Sequence, residues 1–298
     1  MKKIKFLVLP VLLLLMAFVS PARRDALMDS NDSNIESPVS LLQAPVPYEP
    51  CQNTNFTYQN NERLTYKIYY NWNFVWLAAG EVTFKVFDEN NQYHYQALGE
   101  TYDSYEWFFT VKDQYDSWVA KSTLLPNYSE RSVSEGKYNI FEKIAFNQAS
   151  HQTTVWRSDH RGAAETKTDH TVKTCVHDVL SILYNLRNID FGSRSPGDKV
   201  AFSIFMDKEE YPLQLRYVGK EPRKKVHGMG RYKTLKFQPD VIAGNVFKDD
   251  AKMSVWVSDD ENRIPVLIES PVSVGSVKMV LKEYWGLKYD FKGKASDD

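Results

Sequence analysis

The sequence predicts a mainly β protein, an antiparallel curved sheet, barrel or half-barrel with one inserted helix near residues 175–188. Every even-numbered residue from Leu64 to Val86 is apolar or glycine, while most of the odd-numbered residues between them are polar. A side-chain period of two is that of a β-strand with one buried face and one face in water. Aromatic residues, which are enriched in strands, make up 14% of the chain.

The stretch from Leu64 to Val86 is too long for one strand. A straight strand of this length would reach about 75 Å, several times the usual strand length. We therefore expect the chain to bend or fold back at 71–73, where two asparagines flank a tryptophan, and at Gly80.

The rest of the domain alternates between strand composition and turn residues, as an antiparallel meander does. The segment 162–170 is charged and rich in small residues, which predicts a loop. The segments with strand composition are 93–98, 111–120, 138–147, 151–157, 199–206, 213–219, 231–237, 253–258, 264–269 and 277–284.

One segment departs from the strand pattern. Its apolar residues fall at helical spacing, and Thr174 stands before them as a candidate N-cap. We predict one helix over residues 175–188, packed by its apolar stripe on the sheet. The residues of that stripe are Val176, Val179, Leu180, Leu183 and Leu186.

The N-terminus has the layout of a secretory signal peptide. Three lysines within residues 2–5 precede an apolar run over 6–19, and Ala22 ends a small-x-small cleavage site. We expect cleavage after Ala22, an uncleaved N-terminal anchor being the alternative. No cysteine closely follows the apolar run, so a lipoprotein is not expected. The predicted organisation is a signal peptide at 1–22, a disordered tail at 23–61 and one β-rich domain at 62–291, located in the periplasm or outer envelope.

Composition and motifs restrict the possible functions. The formal net charge is −1, which gives no reason to expect nucleic acid as a partner. The chain has no His-Glu-x-x-His, Gly-x-Ser-x-Gly, Walker or Cys-x-x-Cys motif. Three His–Asp neighbours, at 159–160, 169–170 and 177–178, match no metal-ligand spacing and are interpreted as polar pairs of the surface and loops. The acidic segment 259–262 could bind calcium, but a hairpin turn is favoured. We predict no cofactor and no metal.

Cys51 and Cys175 are the two cysteines of the chain. In an oxidising compartment such a pair favours a disulfide. Two alternatives stay open. The cysteines could both be unpaired thiols, or Cys175 could form a thiolate–imidazole pair with His177, as in a cysteine hydrolase.

Trp72, Phe74 and Trp76 continue the apolar face past the predicted bend. Large aromatic residues in strands usually belong to the core. If the bend lies at the open end of the sheet, their rings would instead contact an apolar ligand, a membrane or a partner protein.

Three segments carry a resemblance to a known family. They are 62–72 running into 78–82, 178–184 followed by Arg187, and the closing pair 256–260 and 263–266. Together they resemble an exported bacterial family known as domain of unknown function 3108, over about residues 61–289. The resemblance implies a β-rich domain of the periplasm or outer envelope and brings no catalytic residues to this sequence.

Two classes of function remain. The first is a non-enzymatic envelope protein that binds a lipid, an acyl chain or a partner protein on an aromatic concave face. The second is an envelope hydrolase acting on glycan or peptide, which would need paired carboxylates or a nucleophile. The absence of catalytic motifs favours the first. An apolar cavity without convergent titratable groups would support it, and two carboxylates across a cleft would support the second.

Overall fold

The structure, a computed structural model, describes residues 51–72, 75–106, 110–192, 194–240, 252–272 and 275–295. Within these ranges it has one antiparallel sheet of fourteen strands and two helices, neither long and apolar enough to cross a membrane. The elements are β1 (Arg63–Trp72), β2 (Val75–Glu89), β3 (Gln92–Thr101), α1 (Asp103–Glu106), β4 (Lys112–Ala120), β5 (Pro126–Glu135), β6 (Tyr138–Asn147), β7 (Gln152–Ser158), β8 (Thr166–Thr171), α2 (Val179–Arg187), β9 (Lys199–Met206), β10 (Glu209–Val226), β11 (Gly230–Pro239), β12 (Ser254–Ser258), β13 (Pro265–Pro271) and β14 (Ser276–Trp285).

The order of the strands explains why the sheet curls. The order is β8-β7-β6-β5-β4-β3-β2-β1-β14-β13-β12-β11-β10-β9, so β1 and β14, the first and last of the described strands, pair near its centre. The two outermost strands, β8 and β9, are joined in the chain through α2. Strands β1–β8 form one arm of the sheet and β9–β14 form the other. Helix α2 contacts β3 and β4 on the first arm and β9 on the second, so the sheet wraps around it. The predicted fold class, a mainly β curved sheet with one substantial inserted helix, is confirmed.

Side chains join the two arms where strand hydrogen bonds do not. The ring of Phe146 on β6 packs edge-on against Phe205 on β9, with 6.4 Å between centroids. Arg131 on β5 forms ion pairs with Asp207, in the turn after β9, and with Glu142, at 2.8 Å from the latter. The sheet is therefore nearly closed by packing and buried charge pairs.

The predicted fold-back near 71–73 is present, because Trp72 at the end of β1 pairs with Val75 at the start of β2. A β-bulge lies beside Gly80, the second predicted bend. Ile68 pairs with Gly80 and Tyr69 with Ala78, which leaves Ala79 as the extra residue. A bulge shifts the alternation by one residue, so the strand faces are exchanged between its two sides.

Helix α2 begins later than predicted. Its N-cap is Asp178, whose Oδ1 accepts hydrogen bonds from the backbone N–H groups of Leu180 and Ser181, at 2.8 and 2.9 Å. The prediction of Thr174 as N-cap and of a start at residue 175 was wrong. The chain just before the helix is extended, since the backbone of His177 hydrogen-bonds Ser203 and Phe205 along the edge of β9.

Two further boundaries differ from the sequence prediction. The segment 162–170, predicted as a loop, contains edge strand β8, which pairs with β7 alone and stays largely exposed, so its composition is polar. Part of the predicted disordered tail is packed, since Thr57 and Tyr58 are buried and Asn188 accepts the backbone N–H of Phe56 at 2.7 Å. Residues 1–50, with the predicted signal peptide, lie outside the described residues.

The predicted disulfide between Cys51 and Cys175 is present. It joins the start of the described chain to the extended segment that leads into α2, with 5.8 Å between the two Cα atoms. It therefore attaches the packed segment 51–61 to the interior of the domain.

Candidate functional site

An apolar cavity of about 170 Å³ lies between α2 and the arm formed by β9–β14. Its walls come from eight strands of both arms and from the helix. The residues that line it are Leu64, Tyr66, Phe84, Val179, Ile182, Leu183, Tyr184, Leu186, Phe191, Phe202, Ile204, Leu213, Leu215, Leu235, Phe237, Pro239, Asp240, Met253, Val255, Val257, Arg263, Pro265, Ile268 and Met279.

The helix presents incompletely covered apolar side chains to this cavity. Leu180 is 1% exposed and belongs to the main core, while Leu183 and Leu186 on the cavity side are only half-buried. Protein interiors are normally close-packed, with few voids larger than a water molecule. A cavity with apolar walls excludes water and favours an apolar occupant.

Two charged residues, Asp240 and Arg263, are found among the described residues that line the cavity. The Asp240 carboxylate accepts the backbone N–H of Gln214 at 3.0 Å. Arg263 lies in the turn between β12 and β13, and its Nη1 donates to the carbonyl of Ile189, just beyond α2. Its guanidinium also lies over the ring of Phe56, 4.9 Å from the centroid. The guanidinium of Arg263 lies at a partly desolvated part of the wall, and this burial lowers the pKa of Arg263.

Of the three predicted aromatic contact residues, Trp76 does not line the cavity. Phe74 and the side chain of Trp72 lie outside the described residues. Trp76 pairs with Asn71 after the bulge, which puts it on the face opposite to Ile68, and it is 39% exposed. Lys278 lies over its ring, with Nζ 4.3 Å from the centroid. The prediction that Trp76 continues the buried face was wrong, because the bulge at Ala79 inverts the alternation.

Replacing Trp76 by alanine is expected to reduce the free energy of unfolding by no more than about 1 kcal/mol, the size of one exposed cation–π contact. Phe84→Ala is the matched control on the same strand. Phe84 is 5% exposed on the inner face, and its truncation should cost about 3–5 kcal/mol. Urea denaturation measures both, and equal losses would contradict this assignment of faces.

The structure also settles the geometry around Cys175 and His177. Cys175 is disulfide-bonded, so it presents no thiolate to the imidazole. His177 is buried, its Nδ1 lies 3.1 Å from Ser181 Oγ, and burial lowers its pKa to about 3. The interpretation of the His177–Asp178 neighbours as a pair of the surface or loops was wrong. Both are buried, and Asp178 caps the helix.

The acidic segment 259–262 forms the turn between β12 and β13. Asp260 Oδ1 accepts hydrogen bonds from Ser258 Oγ at 2.7 Å and from the backbone N–H of Asn262 at 3.1 Å. In the described part of the chain, no three His, Cys, Asp or Glu side chains are grouped so that they could hold a metal ion.

A buried carboxyl pair was missed in the sequence. Asp113 on β4 and Glu135 at the end of β5 are 4% and 8% exposed and lie close enough for the charge of Glu135 to act on Asp113. Burial raises the pKa of both, and for Asp113 the nearby Glu135 charge adds to the effect. Neither residue lines the apolar cavity. Their 22-residue separation on adjacent strands gave no local motif that could have identified them.

This pair predicts that stability falls as pH rises. Between about pH 4, where an unfolded chain ionises its carboxyls, and about pH 8, to which the pKa of Asp113 is raised, the folded state binds more protons than the unfolded state. The free energy of unfolding should therefore decrease over this range, by roughly 2–4 kcal/mol from this pair. Asp113→Asn should remove much of the slope. Urea denaturation at pH 5 and pH 8 checks it, with the exposed Asp159→Asn as control. Parallel pH profiles of Asp113→Asn and the unmodified protein would contradict the prediction.

Comparisons with known proteins support the fold and leave the activity open. A family model described as "Protein of unknown function (DUF3108)" matches residues 65–282. The chain is also similar to the crystal structure of a β-barrel-like protein of domain of unknown function DUF1849 from Brucella abortus. That match has a TM-score of 0.51 and 10% sequence identity, and it covers 78% of this chain and 100% of that one. At this identity the likeness shows the fold alone. No curated protein matches the chain.

Proposed function

This chain belongs to the DUF3108 family of proteins of unknown function, and we propose that it is an exported cell-envelope protein that binds an acyl chain without catalysing a reaction. The acyl chain would lie between α2 and the arm β9–β14. The observation that carries the proposal is the cavity itself, whose lining is apolar apart from Asp240 and Arg263. Ligand sites are typically apolar clefts with a few placed polar groups, which is the composition found here.

The size of the cavity favours one chain over a whole lipid. At about 170 Å³ it resembles a dry protein cavity of about 150 Å³ that binds benzene. Drug-sized ligands occupy roughly 300–1,000 Å³. We therefore propose that the site takes part of one acyl chain, with the rest of the amphiphile extending beyond it.

The hydrolase alternative has weaker support. The carboxyl pair Asp113–Glu135 is a candidate acid–base group, but both side chains are buried and neither lines the cavity. A partner or membrane contact at Trp72, Phe74 and Trp76 stays a prediction. It would be a separate site, since exposed Trp76 lies on the face away from the cavity.

The proposal is tested by binding of N-phenyl-1-naphthylamine, a neutral apolar fluorophore, to the purified protein and its displacement by 1-decanol. Both should bind. Leu183→Trp and Leu186→Trp, which place an indole in the cavity, should each weaken binding of both at least tenfold while the protein stays folded.

The matched control is Tyr138→Trp, which adds an indole at a side chain that is 48% exposed on β6. It should bind as the unmodified protein does. Absence of binding by the unmodified protein, or equal binding by folded variants with a tryptophan at 183 or 186, would overturn the proposal.

A further inference from the structure

A second, polar pocket of about 460 Å³ adjoins the apolar cavity. The two share Phe191, Leu235 and Arg263 as lining residues. An apolar space that opens beside a charged one is the arrangement that an amphiphile requires, with its chain in one space and its head group in the other. The polar pocket is lined further by Gly192, Lys220, Lys233, Asp259, Asp260, Glu261 and Lys292.

Most charges of the polar pocket are already paired. Lys220 Nζ lies 2.9 Å from Asp259 Oδ2, and Lys292 Nζ lies 3.1 Å from Glu261 Oε1. The Asp260 carboxylate accepts hydrogen bonds from Ser258 Oγ and from backbone N–H groups, among them that of Lys292 at 3.0 Å. All three carboxylates of the pocket are therefore engaged within the protein.

Two cations are left without such a close carboxylate. The carboxylate paired with Arg263 is that of Asp190, at 4.0 Å and 70% exposed, while Arg263 Nη1 donates to backbone carbonyls. Lys233 on β11 is exposed and forms no ion pair with any residue that the structure describes. An arginine at a partly desolvated wall beside a free lysine favours a carboxylate or phosphate ligand.

We infer that the ligand is a single-chain anionic amphiphile, whose carboxylate or phosphate is bound by Arg263 and Lys233 while its chain lies in the apolar cavity. The inference rests on the proposed function, because it places the chain in the same cavity. It adds the charge and the position of the head group. Of the three residues that line both spaces, Arg263 is the charged one, so it determines which end of the ligand enters the cavity.

The experiment compares ligands with the same ten-carbon chain and different heads. Decanoate, decyl phosphate and 1-decanol are each titrated into the protein with bound N-phenyl-1-naphthylamine, at pH 8 and low salt, and the displacement of the fluorophore is measured. We expect the better of the two anions to bind at least tenfold more tightly than decanol, with the difference reduced at high salt because screening weakens exposed charge interactions. If decyl phosphate is the tighter anion, the head is a phosphate. If decanoate is tighter, it is a free fatty acid.

The variants locate the charge preference. Arg263→Gln and Lys233→Ala should each reduce the ratio of anion affinity to decanol affinity at least threefold. The exposed Lys233 provides a variant whose folding is not at risk. Lys137→Ala, at an exposed lysine between β5 and β6, is the control. Equal affinity for anion and decanol, or a preference kept in both variants, would overturn this inference and leave the proposed function standing. Absence of decanol binding by the unmodified protein would overturn both this inference and the proposed function.

Discussion

Leu180→Asp is expected to leave the domain unfolded at 25 °C. Leu180 is 1% exposed in the first turn of α2 and belongs to the main core cluster. An aspartate there would place a carboxylate without a partner among apolar side chains, a change that costs more than about 4 kcal/mol. That is a large part of the roughly 5–15 kcal/mol by which a domain is stable. Circular dichroism and a thermal melt measure the loss.

Leu180→Met is the conservative control, since a volume-conserving apolar exchange costs less than about 1.5 kcal/mol. Leu183→Asp gives a second comparison, because Leu183 is half-buried at the cavity wall and should be more tolerant. A melt of Leu180→Asp indistinguishable from that of the unmodified protein would show that α2 does not pack on the sheet as described.

Glu62→Gln is expected to reduce the free energy of unfolding by about 3–5 kcal/mol, because it leaves a buried arginine charge without its partner. Glu62 and Arg187 are 1% and 6% exposed, and they form a bidentate pair with N–O distances of 2.6 and 2.9 Å. Arg187 also donates to the carbonyl of Asn262 at 2.9 Å, so this one side chain connects α2 to the residue before β1 and to the β12–β13 turn.

Urea denaturation of Glu62→Gln, Arg187→Met and the double variant measures the coupling between the two side chains. The double variant should be less destabilised than the sum of the single ones, since it removes the unpaired charge. Glu261→Gln is the control at an exposed pair with Lys292, where the loss should be much smaller because solvent screens the charges. A Glu62→Gln loss as small as the control's would contradict the prediction.

Local pattern was enough to predict most strands. Residues 138–147 have strand composition and form β6 with the same limits, and the period of two from Leu64 to Tyr70 identifies the buried face of β1. The prediction of strands was wrong where pairing with a neighbouring strand, rather than local composition, determines the structure. Residues 166–171 are polar because β8 is an edge. Residues 126–135, which are not among the segments of strand composition, form β5.

The register of β1 with β2 and the N-cap of α2 also could not be predicted from local sequence pattern. The bulge at Ala79 depends on how β1 and β2 pair, and it inverts the face of Trp76. The helix begins at Val179 because His177 is held against β9 in extended form, so Asp178, rather than Thr174, becomes the cap. Neither contact is visible from residues close in sequence.

The candidate site was the least predictable part. Trp76, chosen from the sequence as a contact residue, does not line the cavity, whereas Leu183 and Leu186, chosen as core residues, form part of its wall. Arg263 belongs to no recognised catalytic or binding motif. Its importance arises because the turn between β12 and β13 comes to lie beside Phe191, where two pockets meet. The residues of this site come from both arms of the sheet and are far apart in the sequence, so no local motif identifies them.

The pairing of β1 with β14 has a consequence for the order of events during synthesis. Ile68 pairs with Met279, so the middle of the sheet can be completed only when the last strand has been made. Contacts between such distant segments carry a large loop-closure cost and slow folding. Until β14 arrives, one side of β1 has unpaired backbone groups that another strand could occupy. The centre of the sheet therefore stays open until β14 has been made.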